Sequence, residues 1–163
     1  MVVQPPVQPQ PIFVARPHRL RVIAVIATIG LIALTLVGWF ALPREIRALF
    51  TISQLLTLLG VMAALILVIV AAAASYVRAD ASGLTIRNGL RRHQVPWSRV
   101  HKILLRSGDP WALLLLTPAD GRPFEVDLDA EKRMLMGIQA GDGAPAQAAV
   151  EELRSRVTRY RGT

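Results

Sequence analysis

Two long apolar runs limit what this chain can become. Residues 20–42 carry a single charge, Arg21, at their edge, and residues 49–77 carry none. At about 1.5 Å of rise per residue the first run spans roughly 34 Å as a helix, enough for a hydrocarbon core about 30 Å thick. Backbone polar groups in lipid must be paired within their own segment, so both runs are expected to be helical. Pro43-Arg44-Glu45-Ile46-Arg47 separates them, and so short a connector makes an antiparallel hairpin. A signal peptide fits less well. The first run is too long for an h-region of roughly 7–15 residues. Its exit, Gly38-Trp39-Phe40-Ala41-Leu42, lacks a small-residue cleavage site and offers Trp39 and Phe40 as interfacial anchors. The second run opens with Thr51, Ser53, Gln54 and Thr57, so its best-buried part is expected at residues 55–75. Gly60 with Ala64, and Ala71 with Ser75, are small residues four apart that would let the helices approach closely.

Charge sets the expected orientation. Arg16, Arg19 and Arg21 precede or open the first run, and Arg78, Arg87, Arg91 and Arg92 follow the second. The connector holds only Arg44 and Arg47. The positive-inside rule then puts both termini in the cytoplasm, in a two-pass protein of the inner membrane.

The flanks divide the remainder. Residues 1–19 contain Pro5, Pro6, Pro9, Pro11 and Pro17, which oppose both helix and central strand. They read as a disordered or polyproline-like tail, either a solvated leader or a Pro-rich ligand for a partner. Residues 20–77 form the hairpin, and residues 78–163 a cytoplasmic domain. The 53% apolar content reflects the two runs. Cysteine is absent, which excludes disulfides, thiol nucleophiles and Cys-ligated zinc.

After Arg78 the periodicity changes from helical to alternating. Leu84, Ile86, Val95 and Trp97 stand among Thr85, Arg87 and Gln94, and Asn88-Gly89 between the two runs is a hairpin signal. Ile103 and Leu105 continue the pattern. Trp111–Leu116 reads as a strand buried on both faces, and Phe124, Val126 and Leu128 alternate with Glu125, Asp127 and Asp129. About six short strands result. Residues 134–145, with Gly137, Gly141, Asp142, Gly143 and Pro145, argue for a loop. From Ala146 the pattern is helical. Ala149 or Val150, Leu153, Val157 and Tyr160 share one face, and Glu151, Glu152, Arg154, Arg156 and Arg159 the other. The expected architecture is a meander of antiparallel strands, bent or closed into a barrel, with a C-terminal amphipathic helix. Leu84, Ile86, Val95, Trp97, Leu153 and Val157 are its core.

Gly83-Leu84-Thr85-Ile86-Arg87-Asn88-Gly89-Leu90-Arg91-Arg92, followed by Val95-Pro96-Trp97-Ser98-Arg99-Val100, resembles the bacterial pleckstrin-homology (PH-like) domains. In particular it resembles the small two-helix membrane proteins of actinobacteria grouped with the low-molecular-weight antigen PH family. The resemblance implies a strongly bent sheet of two packed halves, plugged at one end by the helix. It implies seven strands where the pattern yields six, and it implies no enzyme activity.

No constellation of residues suggests catalysis. His18, His93 and His101 lack metal-ligand spacing. Asp127, Asp129 and Glu131 imitate the start of a calcium loop, but Lys132 stands where that loop needs Gly and Ile138 where it needs Glu. Gly141-Asp142-Gly143 has no strand and helix around it to make a phosphate cradle. No cofactor is implied. Nucleic acid is disfavoured: much of the net charge of +8 is explained by membrane topology, and all 11 acidic residues except Glu45 lie in the soluble part. Arg87, Leu90, Arg91 and Arg92 surround the hairpin turn. They read as a solvated face or as a contact with anionic headgroups, with Leu90 at headgroup level. The functional expectation is a membrane-anchored binding or scaffolding module with a protein partner. The alternatives are an anionic-lipid-sensing regulator and an accessory subunit of a membrane enzyme complex. Intramembrane ionisable residues would favour the last, and the centres of both runs lack them.

Overall fold

The computed structural model describes residues 11–118 and 131–161. Two compact units are present: a helical one, His18–Ala74, and a mainly β one built from the segments on either side of it.

The helical unit contains α1 (His18–Ala41), α2 (Arg44–Ala48) and α3 (Ile52–Ala73). Pro43 stands at the cap of α2, where a missing N–H costs nothing. Thr51 starts α3 through a capping box: its Oγ1 accepts from the Gln54 N–H, and the Gln54 Oε1 accepts from the Thr51 N–H at 2.9 Å. The second helix therefore spans Ile52–Ala73 and not residues 49–77. Leu49, Phe50 and Thr51 precede it, and Tyr76 and Val77 are already strand. At the connector end Trp39 meets Phe50 edge-on at 5.4 Å, and the Arg47 guanidinium lies 6.0 Å from the Phe40 ring centre. At the other end Arg21 Nε donates to the Ala73 carbonyl. Gly60 has no neighbour within 4 Å of a Cβ position, so the close approach expected there does not occur. Ala24 is the one buried residue of α1, and α3 has none. Both helices are long and apolar enough to cross a membrane. Side chains such as Leu34, Phe40 and Val68 turn outward, whereas the core helix of a soluble protein would bury its apolar face.

The β unit has two antiparallel sheets. The first runs in the order β1 (Phe13–Ala15), β2 (Tyr76–Asp80), β3 (Gly83–Asn88), β4 (Arg91–Pro96). The second runs β5 (Val100–Leu104), β6 (Trp111–Leu116), β7 (Lys132–Gln139). The helix α4 (Ala144–Arg161) follows a short 3-10 turn at Ala140–Asp142. Two antiparallel sheets and a C-terminal helix agree with the PH-like expectation. Among the described residues no ladder joins one sheet to the other, so this is not a closed barrel.

Two strands were unexpected. The first is β1, inside the segment read as a disordered tail. Phe13, Val14 and Ala15 pair with Ala79, Arg78 and Val77. The helical unit is thus inserted between two strands that are neighbours in one sheet. Arg156 secures the leader. Its Nη1 donates to the Pro11 carbonyl at 2.9 Å, its guanidinium lies 5.6 Å from the Phe13 ring centre, and its Nε bonds Glu152 at 2.6 Å. Read from the helix pattern, Arg156 belongs to the polar face of α4. In the fold it is only 4% exposed. The second is β7, read as loop because of Gly137. That glycine is there for proximity: a Cβ would stand 2.7 Å from the backbone of Tyr76 and Val77, where the two sheets pack. The expected strand around Phe124 to Leu128 lies outside the described residues.

Asn88 also joins the sheets. Its Nδ2 donates to the Met134 carbonyl at 2.7 Å, and its Oδ1 accepts from the Met136 N–H at 3.2 Å. Leu84, Ile86, Val95, Trp97, Leu153 and Val157 all lie in one buried cluster with Val77, Val100, Ile103, Leu114 and Leu135. Trp97 occupies a 3-10 turn, Trp97–Arg99, and not a strand. In β6, Trp111 and Leu113 are half-buried while Ala112, Leu114, Leu115 and Leu116 are buried, so burial on both faces holds only towards its end.

Candidate binding surface

The hairpin joining β3 to β4 carries the residues singled out from the sequence. Register pairs Asn88 with Arg91, so the two-residue loop is Gly89-Leu90, one position later than the Asn-Gly signal suggests. Gly89 has φ +62°, and among the described residues none other than glycine has positive φ. This is the II′ pattern, with glycine first, whose twist suits a hairpin. The Gly89 N–H donates to the Ser75 Oγ at 3.0 Å, fixing the turn against the start of β2. Leu90 is 71% exposed at the tip.

Alternation along the strands divides the basic cluster. Tyr76, Arg87 and Arg92 are cross-strand neighbours in one row, while Arg91 opposes Asn88 in the next. Successive residues of a strand face opposite sides, so Arg91 and Arg92 do not form one patch. Arg87 is held by its Nε donating to the Gly89 carbonyl at 3.0 Å. Arg92 stands directly across from it, an arrangement that costs stability unless an anion intervenes. Beside this row a groove of about 340 Å³ runs over the sheet, lined by Arg78, Ser82, Thr85, Arg92, Gln94 and Pro96 among others. Asp80 lies within it. The Ser82 hydroxyl, at 2.6 Å, is the main cause holding its carboxyl below the usual carboxylate range, with Arg78 adding to the effect. A second groove, about 530 Å³, lies between Leu105 and the first half of α4.

Glu131 accepts from Arg99 at 2.8 Å and from Arg133 at 2.5 Å, and these two hydrogen bonds hold its carboxyl low. His18 opens α1, His93 lies in β4 and His101 in β5. Burial pushes the His101 imidazole down, helped by Arg161 and Lys102. Among the described residues no group of three or more His, Asp or Glu could hold a metal ion. The calcium-loop imitation begins outside the described residues. Asn88 and Arg156, the polar side chains that close the fold, were missed as such. The local pattern marks Asn88 only as a turn former and Arg156 only as a helix surface charge.

Two antiparallel sheets packed around a shared core, covered by one C-terminal helix and presenting a basic hairpin, define a PH-like domain. The chain belongs to the bacterial PH domain family, whose model matches residues 75–156. Neither curated proteins nor solved structures gave a match. PH domains in general are non-catalytic modules that bind proteins or lipids.

Proposed function

We propose that this protein is a PH-like binding or scaffolding module anchored by its helical hairpin at the cytoplasmic face of the inner membrane, where it engages a protein partner. The observation that carries the reading is the pairing of Ala15 with Val77. It makes the segments before and after the hairpin parts of one folded unit, and a folded unit occupies one side of a membrane. An even number of crossings follows, and the arginines at both outer ends of the hairpin favour the cytoplasm. A tethered module works at high local concentration, so weak intrinsic affinities suffice.

Single cysteines test the arrangement cleanly, because the natural chain has none. In intact cells Gln10→Cys and Ala140→Cys should be shielded from impermeant thiol reagents, and Arg44→Cys should react. Labelling of Ala140→Cys from outside would overturn the topology.

The exposed Leu90 beside Arg91 favours a second reading, contact with anionic headgroups. Each basic residue near such a surface contributes about 1 kcal/mol. Binding of the domain, freed of its helices, to vesicles should then rise with anionic lipid content and fall with salt. Charge reversal at Arg91 and Arg92 should abolish it, and reversal at Lys102 and Arg106 should not. Equal losses from the two pairs would reduce the contact to diffuse electrostatics.

A further inference from the structure

Among the described residues four strands lie at sheet edges: β1 and β4 in one sheet, β5 and β7 in the other. An edge strand presents unpaired N–H and C=O groups that can template another strand. Two of the four edges are capped by side chains. On β5, Arg154 Nε donates to the Ile103 carbonyl at 3.0 Å, and Arg161 Nη2 reaches the carbonyls of Val100 and His101. On β7, the Asn88 amide bonds Met134 and Met136 as a neighbouring strand would. The third, β1, is only three residues long, and Arg156 holds the Pro11 carbonyl next to it. The fourth, β4, has six residues and, among the described residues, no partner for its backbone beyond the β3 ladder.

The turn determines which groups β4 offers. In a two-residue hairpin the residues flanking the loop, here Asn88 and Arg91, form a hydrogen-bonded pair, and bonded and non-bonded pairs then alternate. Ile86 with His93 and Leu84 with Val95 are therefore bonded pairs. Arg92 and Gln94 direct their N–H and C=O groups away from β3, and Pro96 adds a carbonyl. Pro96 ends the strand, so it leaves both donors open.

Charge selects the occupant. Arg91 and Arg92 are exposed and, among the described residues, form no ion pair; Asp80, which shares the groove with Arg92, is engaged by Ser82 and Arg78. Arg92 also opposes Arg87, so a carboxylate there would relieve a like-charge pair. A second copy of this chain, with net charge +8, would bring arginine onto arginine. We infer that the β4 edge accepts an extended acidic segment of a partner protein as an added strand, with a carboxylate against Arg92 and side chains in the groove beside Gln94. The inference rests on the proposed role as a protein-binding module.

The test uses the full chain in phosphatidylcholine nanodiscs, panned with a displayed library of random octapeptides. Enriched peptides should be acidic. The strongest should slow hydrogen exchange at the Arg92 and Gln94 amides by about tenfold or more. Arg92→Glu should weaken its binding by about tenfold or more. Gln94→Pro, at an edge position where proline is tolerated, should do likewise, and Gln94→Ala should not. Neutral or basic enriched peptides, protection confined to the groove beside α4, or no enrichment would overturn the inference. So would equal slowing of these amides by phosphatidylglycerol nanodiscs without peptide, which would assign the edge to lipid. If cysteine labelling supports the topology while no peptide is enriched, the edge proposal falls and the anchored module stands. If the topology fails, the anchored reading falls whatever the peptides do.

Discussion

A chain of residues 78–163 will not fold cooperatively, whereas residues 11–17 joined through Gly-Ser to residues 75–163 will. The shorter chain contains every strand readable after Arg78, yet it lacks β1 and the first half of β2. It loses Val77, which is fully buried, and one such apolar side chain is worth about 1.5–3 kcal/mol. It loses Ser75, which fixes the hairpin turn through Gly89. It also leaves the buried Arg156 without the Pro11 carbonyl and the Phe13 ring. An unsatisfied buried polar group costs about 1–3 kcal/mol, more when charged. Added to the lost β1–β2 ladder, these losses reach the lower end of the usual total stability of about 5–15 kcal/mol, where a small domain unfolds. The joined chain is geometrically reasonable because Ala15 and Val77 are direct cross-strand partners, within reach of a short loop. Thermal melting by circular dichroism, with amide exchange in β2 and β3, separates the two outcomes. Equal midpoints for the two chains would mean that the leader strand is dispensable.

Within that joined domain, Trp97→Ala should lower stability by about 3–5 kcal/mol, the usual cost of truncating a buried aromatic. Trp97 is 6% exposed and connects three parts of the fold. Its Nε1 donates to the Asp80 carbonyl at 2.9 Å, at the end of β2. Its ring stacks on Tyr160 of α4, with centres 5.0 Å apart and planes within 8°. It follows directly on β4 and leads into β5. For a domain of this size each kcal/mol moves the midpoint by about 4–8 °C, so a fall of more than about 12 °C is expected. Trp97→Phe keeps an aromatic face for Tyr160 but loses the N–H and part of the buried ring volume, so it should fall between the two. A midpoint within about 2 °C of the natural domain after Trp97→Ala would contradict the role assigned to this ring.

Leu84, Ile86 and Val95 were legible because their neighbours in sequence alternate with them. Leu153 and Val157 were legible because they recur at helical spacing. Arg87, Leu90, Arg91 and Arg92 could be placed around a turn, but not assigned to faces. A loop starting one residue later, at Gly89, puts Arg92 opposite Arg87 and Arg91 opposite Asn88. Asn-Gly and Gly-Leu both begin acceptable hairpin loops, and only the register against β3 chooses between them.

By itself the sequence determined whatever depends on local periodicity: the two apolar helices, the alternating strands 83–88 and 91–96, and the apolar stripe of α4. These follow from the 3.6- and 2-residue repeats, which a window of a few residues reveals. Tertiary structure alone decided the rest. Phe13–Ala15 is a strand only because β2, more than sixty residues later, pairs with it. Gly137 lies in a strand because a crossing backbone leaves no room for a side chain, though a glycine between turn formers reads locally as loop. Arg156 is buried because a carbonyl 145 positions earlier reaches it. Each of these depends on a partner distant in the chain, and composition near the residue carries no trace of that partner.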